Sequence, residues 1–212
     1  MIDADKHTDD TEQLMNQDHI VHTVDIIRSA AGKKTLMTDQ VIDEDILEIL
    51  INQKPCFEMV CSMTHIQKLA AGFLFTQGIV RKKSDLQKIQ FLADKKQCCL
   101  TVDSSIAKQV ERFTNSRLVK GSSGGTMLKT DLADTQIPPH SNGRCITPEQ
   151  VCDLIQRHAD HSKLFHQTGA VHSAALCTPE QILFYAEDIG RHNALDKLAG
   201  HILLEQVDVS DK

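Results

Sequence analysis

The chain has 212 residues, 41% of them hydrophobic, which suits one sizeable domain or two small lobes around a packed core and excludes a wholly disordered protein. Its 23 basic and 29 acidic side chains leave a net charge of −6, which argues against a general electrostatic footprint for nucleic acid or an anionic membrane, so any anion site must be local. No apolar run approaches the roughly 20 residues that span a bilayer, and the acidic start MIDADKHTDD lacks the basic-then-apolar order of a signal peptide, so the cytoplasm is the expected compartment.

Residues 1–20 are polar and acidic with no apolar period, and they are expected to form a flexible arm. From Val41 the texture changes. Leu47, Ile49 and Ile51 alternate with Glu48 and Leu50, Asn52-Gln53-Lys54-Pro55 supplies turn residues, and Cys56, Phe57, Met59 and Val60 resume an apolar run. That order is a hairpin. Ile66, Leu69, Ala70, Phe73 and Leu74 then recur at helical spacing, with Gly78 placed as a C-terminal stop. Residues 88–93 and 98–102 read as a second strand pair, followed by a short helix over 103–112. From Phe113 to Cys145 the chain is rich in Ser, Gly, Thr, Asn and Pro, which marks a functional loop or a linker.

Thr147-Pro148-Glu149-Gln150 gives an N-cap, a first-turn proline and a capping-box Gln ahead of Val151, Leu154 and Ile155. The same four residues recur at Thr178 to Gln181, but there Ile182-Leu183-Phe184-Tyr185 follows and predicts a strand after a turn. The last helix runs over residues 191–205 with Leu195, Leu198, Ala199, Ile202 and Leu203 as the apolar stripe expected to pack on a sheet. Strands mixed with helices in this order define an α/β class of the mixed α+β kind. The expected division is an arm at 1–20, an N-terminal strand-hairpin and helix lobe at 21–112, a mobile Gly/Ser/Pro-rich loop at 113–146 and a second lobe at 147–212.

Seven cysteines, an odd number, show neither a disulfide-scaffold pattern nor paired C-x-x-C spacing, so most are expected to be reduced core residues. Two other segments carry candidate chemistry. Phe165-His166-Gln167-Thr168-Gly169-Ala170-Val171-His172 puts histidines and a glycine around an expected strand. Glu187-Asp188-Ile189-Gly190-Arg191-His192-Asn193-Ala194-Leu195-Asp196-Lys197 puts Gly190 at a strand-to-helix turn, with Arg191, His192 and Asn193 on the first helical turn. Free backbone N–H groups and the helix dipole favour an anion there, such as a phosphate. The bland alternatives are a satisfied core histidine at 172 and a surface ion pair for Arg191.

Together, F-H-x-T-G-x-x-H-x-A-A-L (from Phe165) and E-D-x-G-R-H-N-A-x-D-K (from Glu187) closely resemble the two hallmark blocks of the formate dehydrogenase accessory family, the FdhD proteins. L-E-I-L-I-N (from Leu47) and L-A-A-G-F-L-F-T-Q-G-I-V (from Leu69) resemble that family's hairpin and helix blocks. The resemblance implies a cytoplasmic sulfur carrier, usually a homodimer, whose second lobe is cytidine-deaminase-like but holds no zinc. It implies a persulfide accepted from a cysteine desulfurase and passed to the molybdenum bis(molybdopterin guanine dinucleotide) cofactor before insertion into formate dehydrogenase. No tightly bound cofactor is implied, although a GDP-like nucleotide could bind. Carried over by motif, the cofactor-binding residues are Thr168, Gly169, His172, Asp188, Gly190, Arg191, His192 and Asn193. The absence of zinc agrees with the residues, since Pro55-Cys56 has no second cysteine three positions on.

The family's nucleophilic cysteine sits in a loop such as S-G-C-G-G-G or S-S-C-G-x-C-G. The corresponding Gly121-Ser122-Ser123-Gly124-Gly125-Thr126-Met127 has none. In the first frame Ser123 takes its place, and in the second Gly124 and Met127 replace two cysteines. A serine hydroxyl cannot carry a persulfide, and Cys145, at the end of the same region, is the candidate substitute. Relatives continue past the final helix, so a C-terminal part of the cofactor site is expected to be missing, through either natural reduction or fragmentation. Two functions remain open: sulfur transfer, or cofactor and partner binding without it.

Overall fold

The computed structural model describes residues 20–110, 118–120 and 146–209, and it begins with a hairpin that the apolar pattern does not announce. Strands β1 (Val21–Ala30) and β2 (Lys33–Ile42) pair antiparallel in a separate two-stranded sheet. Ala31 and Gly32 turn between them at φ 49° and 76°, the two positive φ values that a tight hairpin needs. Ile20, assigned by sequence to the arm, is instead buried with Leu164 and Val171 at the base of this hairpin. The rest of the expected arm lies outside the described residues.

Apolar alternation at Leu47, Ile49 and Ile51 builds β3 (Asp45–Ile51), and these three side chains are buried. Asn52 and Gln53, at φ 48° and 67°, form the two-residue turn into β4 (Lys54–Cys61). Asn52 also closes the neighbouring strand end, accepting from the Val102 N–H at 2.9 Å and donating to its carbonyl. Helix α1 (Ile66–Thr76) covers the sheet and ends at Gln77 before Gly78, whose φ of 69° suits only glycine without strain. Leu69 and Leu74 join Leu47, Ile49 and Met59 in the main core, and the Phe57 and Phe73 rings meet edge to face at 5.0 Å.

The second strand pair is β5 (Leu86–Leu92) and β6 (Gln97–Val102), followed by α2 (Ser104–Val110). Within the expected loop, residues Leu118–Lys120 form a strand, β7. The five-stranded sheet has the order β5-β6-β3-β4-β7. β7 runs parallel to β4 with Lys120 opposite Met59. Its end therefore lies beside the part of β4 that leads to Ser62.

Helix α3 (Pro148–His161) starts at the Thr147 capping box as expected, with the Gln150 N–H donating to Thr147 Oγ1 and the Gln150 side chain accepting from the Thr147 N–H. A short helix α4 (Lys163–Thr168) follows, so the first part of the block from Phe165 is helical and the expected strand begins at His172. Strands β8 (His172–Cys177) and β9 (Ile182–Asp188) pair antiparallel, and α5 (Arg191–Glu205) closes the described fold. Helix α5 packs on α1 and on both strands of that hairpin.

The face that α5 buries differs from expectation. Its buried residues are Asn193, Ala194, Asp196, Lys197, Gly200 and Leu203, whereas Leu195 is 55% exposed. The reason is the crossing with α1. A Cβ on Gly200 would lie 1.8 Å from the Lys68 carbonyl oxygen, and one on Gly72 would lie 1.7 Å from that of Asp196. The two backbones approach where only hydrogen fits, which fixes α5 in rotation and turns its polar side inward.

Candidate functional site

The second hallmark block spans the end of β9 and the first half of α5, and most of it is buried. Gly190 is the N-cap residue, at φ −105°, so positive φ is not what demands a glycine here. Space demands it: a Cβ would come within 2.9 Å of Asn193 Nδ2. The cap offers no side-chain acceptor, and no acidic residue stands in the first turn of α5. This 15-residue helix thus presents a positive dipole end with Arg191 exposed and His192 half-buried.

Directly beneath that end lies an ion pair with no solvent exposure. Lys197 Nζ stands 2.7 Å from Asp188 Oδ2. It also donates to Thr64 Oγ1 at 2.8 Å, the Glu187 carbonyl at 2.9 Å, Ser62 Oγ at 3.2 Å and the Ser62 carbonyl at 3.3 Å. Asp188 uses both oxygens: Oδ2 accepts from the Ser62 N–H and hydroxyl, while Oδ1 accepts from the Gly190 N–H at 2.8 Å and Asn193 Nδ2 at 2.9 Å. Asn193 Nδ2 donates in addition to the Val60 carbonyl at 2.8 Å. Such dense pairing is what a buried charge requires, because an unpaired one costs several kcal/mol (~3–5). The network joins the end of β4, the entry to α1, the end of β9 and the start of α5.

Glu187, the neighbour of Asp188, ties in the first hallmark block. Its carboxylate accepts from Ser162 Oγ at 3.0 Å and from the N–H groups of Leu164 and Phe165, both at 3.3 Å, capping α4. Ser162 in turn accepts from the Tyr185 hydroxyl at 2.7 Å. Burial raises the Tyr185 phenol above its ordinary range, with the Ser162 hydrogen bond opposing the rise.

The structure divides the sequence-derived site residues into three groups. Asp188, Gly190 and Asn193 are brought together but are buried and engaged within the network. Arg191 and His192 stand on the accessible first turn. His172 is exposed and pairs in register with Asp188 across the β8–β9 hairpin, which puts it at the same end of the sheet. Thr168 and Gly169 belong to the end of α4, where Thr168 Oγ1 donates to the Leu164 carbonyl at 2.8 Å and Gly169 takes φ 65° as the C-cap. Ser123 and Cys145 lie outside the described residues. Sequence reasoning missed Ser62, Thr64 and Lys197; the lysine stood in the quoted block, yet nothing in the apolar period marked it as buried.

Among the described cysteines, Cys152 is exposed and Cys99 and Cys177 are half-buried, while Cys56, Cys61 and Cys98 are buried. Burial drives the thiols of Cys56 and Cys61 upward and pushes Cys98 up to about 12, which keeps these three poor nucleophiles. A cavity of about 320 Å³ lies at the other end of β4, walled by Ile51, Cys56, Ala107 and Val110 with Lys54 and Lys108 also lining it. Among the described residues no three His, Cys, Asp or Glu side chains gather to hold a metal ion, and no helix is long and apolar enough to cross a membrane.

The described chain is a mixed α/β fold in which the block from Glu187 to Lys197 is largely folded into a buried charge network. The chain matches the FdhD/NarQ family over residues 42–212 and belongs to that family. The sulfur carrier protein FdhD of Bacillus licheniformis is 36% identical over 193 residues, covering 88% of this chain and 71% of the relative. That of Bacillus subtilis is 31% identical over 201 residues, covering 92% and 74%. The fold is similar to the crystal structure of a protein from Desulfotalea psychrophila described as a formate dehydrogenase accessory protein, with TM-score 0.70 and 21% identity over 90% of this chain and 71% of the other.

Proposed function

We propose that this chain is a sulfur carrier serving the maturation of formate dehydrogenase. Membership of a family whose relatives are sulfur carrier proteins carries this reading. In this reading a cysteine desulfurase supplies sulfur as a persulfide in the cytoplasm, and the molybdenum bis(molybdopterin guanine dinucleotide) cofactor is the client. Arg191, His192 and the first-turn N–H groups of α5 engage an anionic group of that client or of a GDP-like nucleotide, with His172 at the margin. The working unit is a homodimer. Residues 147–212 correspond to the deaminase-like lobe, with α3, α4, the β8–β9 hairpin and α5 as its described elements.

A second reading rests on one observation, the lack of cysteine in Gly121–Met127: a homologue that binds cofactor or partner without transferring sulfur. Incubation with an active cysteine desulfurase and cysteine, followed by persulfide mapping, separates the two. Wild type is expected to carry no label at 121–127, and Ser123→Cys is expected to gain it at position 123. Wild-type label that vanishes in Cys145→Ser would assign the carrier role to Cys145. Wild type that stays unlabelled at every cysteine, beside a relative that the same desulfurase loads, would overturn the sulfur-carrier reading and leave the second.

A further inference from the structure

We propose that Lys197 is a positioning residue: through Asp188 it sets the Gly190 turn and so aims Arg191 and the first-turn N–H groups of α5. The inference rests on the functional reading above for its ligand, but its geometry is independent of it. Although its Nζ reaches back to Asp188 and the Glu187 carbonyl, Lys197 has no solvent exposure and its ammonium is taken up by buried partners, so it does not itself face a ligand at the first turn. It acts through the carboxylate, whose Oδ2 faces Lys197 and Ser62 while Oδ1 faces the Gly190 N–H and Asn193 Nδ2.

The donor count explains why this position needs a charge. Donors approach both oxygens of Asp188, from Ser62 on one side and from the turn on the other. An amide offers one acceptor oxygen and would aim its NH2 at donors on the other side. Only a carboxylate accepts from both directions, and a carboxylate with no exposure requires a cation beside it. The same ammonium grips Ser62 and Thr64, so the turn is held against the end of β4 and the entry to α1 rather than drifting with α5.

The test removes both charges at nearly constant volume in Asp188→Asn/Lys197→Met, since Lys197→Met alone leaves a buried carboxylate unpaired and destabilises the fold. The full-length chain is followed by thermal melting, by the NMR shifts of the Gly190 backbone amide and the Asn193 side-chain amide, and by titration with GDP. Expected are a Tm within about 5 °C of wild type, displaced resonances for both amides, and GDP affinity reduced by about tenfold or more. Unmoved amides, or displaced amides with GDP affinity unchanged, would overturn the assignment and leave the pair a stabilising contact. A double variant that does not fold would overturn it as well, by showing that the charges hold the fold. If wild type does not bind GDP, the nucleotide reading of the surface falls, while the amide shifts still decide whether Lys197 sets the turn.

Discussion

Helices α1 and α5 cross at two glycines, yet they bury opposite kinds of surface. α1 sends Ile66, Leu69, Phe73 and Leu74 into an apolar core, and α5 sends Asn193, Asp196 and Lys197 into a hydrogen-bonded one. Asp196 even reaches back across the crossing to accept from Thr76 Oγ1 at 2.7 Å. The difference shows that rotation of a packed helix is set by where backbones can touch, and that hydrophobic stripe and buried face need not coincide. On α1 they do. On α5 the close approach at Gly200 overrides the stripe.

The crossing itself gives the largest expected effect. Alanine in an exposed helix interior normally gains about 1 kcal/mol over glycine. In Gly200→Ala the new Cβ would fall 1.8 Å from a backbone carbonyl oxygen, so the helices must separate. A loss of roughly 3 kcal/mol or more is expected, at the upper end of overpacking costs, and Gly72→Ala should behave alike. Urea melts measure it. A Gly200→Ala chain as stable as wild type would remove the crossing as the cause of the rotation of α5.

Wherever local chemistry decides, the sequence was readable. Asn52-Gln53 turned as expected, Thr147 capped α3, and Thr178 to Gln181 made a turn before β9 despite matching the cap grammar at 147. Hidden features depended on distant partners. The β1–β2 hairpin exposes most of both strands, so its residues lack the half-buried alternation that marks a strand. The block from Glu187 identified the family but was read as a ligand surface, because nothing local shows that Ser62 and Thr64 lie opposite Lys197. Its buried members serve the network, and Arg191 and His192 remain on the surface.

On the apolar side of the comparison, the thiol of Cys98 offers a smaller, pH-dependent effect. Burial raises it from the ordinary 9.0 to about 12. Between those values the folded chain keeps this proton and the unfolded chain loses it, so the folded state binds more protons and stability must fall as pH rises. The slope from this one group is about 1.4 kcal/mol per pH unit through that window. Cys98→Ala should therefore show a shallower decline than wild type between pH 9 and pH 11 in denaturant melts. Equal slopes in the two proteins would mean that Cys98 is not held in a dry core.

The smallest expected effect is the sharpest discriminator, because Leu195 and Leu203 belong to one stripe by periodicity and to different environments by structure. Leu195 is 55% exposed and Leu203 is 6% exposed, although both stand on α5 within a few turns of each other. Gln keeps helix propensity close to that of leucine, so Leu195→Gln isolates burial from backbone preference. If the crossing fixes the rotation of α5, Leu195→Gln should change stability by no more than about 0.5 kcal/mol, as surface substitutions do. Leu203→Ala should cost roughly 2–5 kcal/mol, as emptying a packed site does. Denaturant titration of the two variants, side by side at one pH, reads the ratio directly. Comparable large losses would restore the stripe as the packed face and put the polar side of α5 outward, which the fully enclosed Asp188–Lys197 pair does not allow.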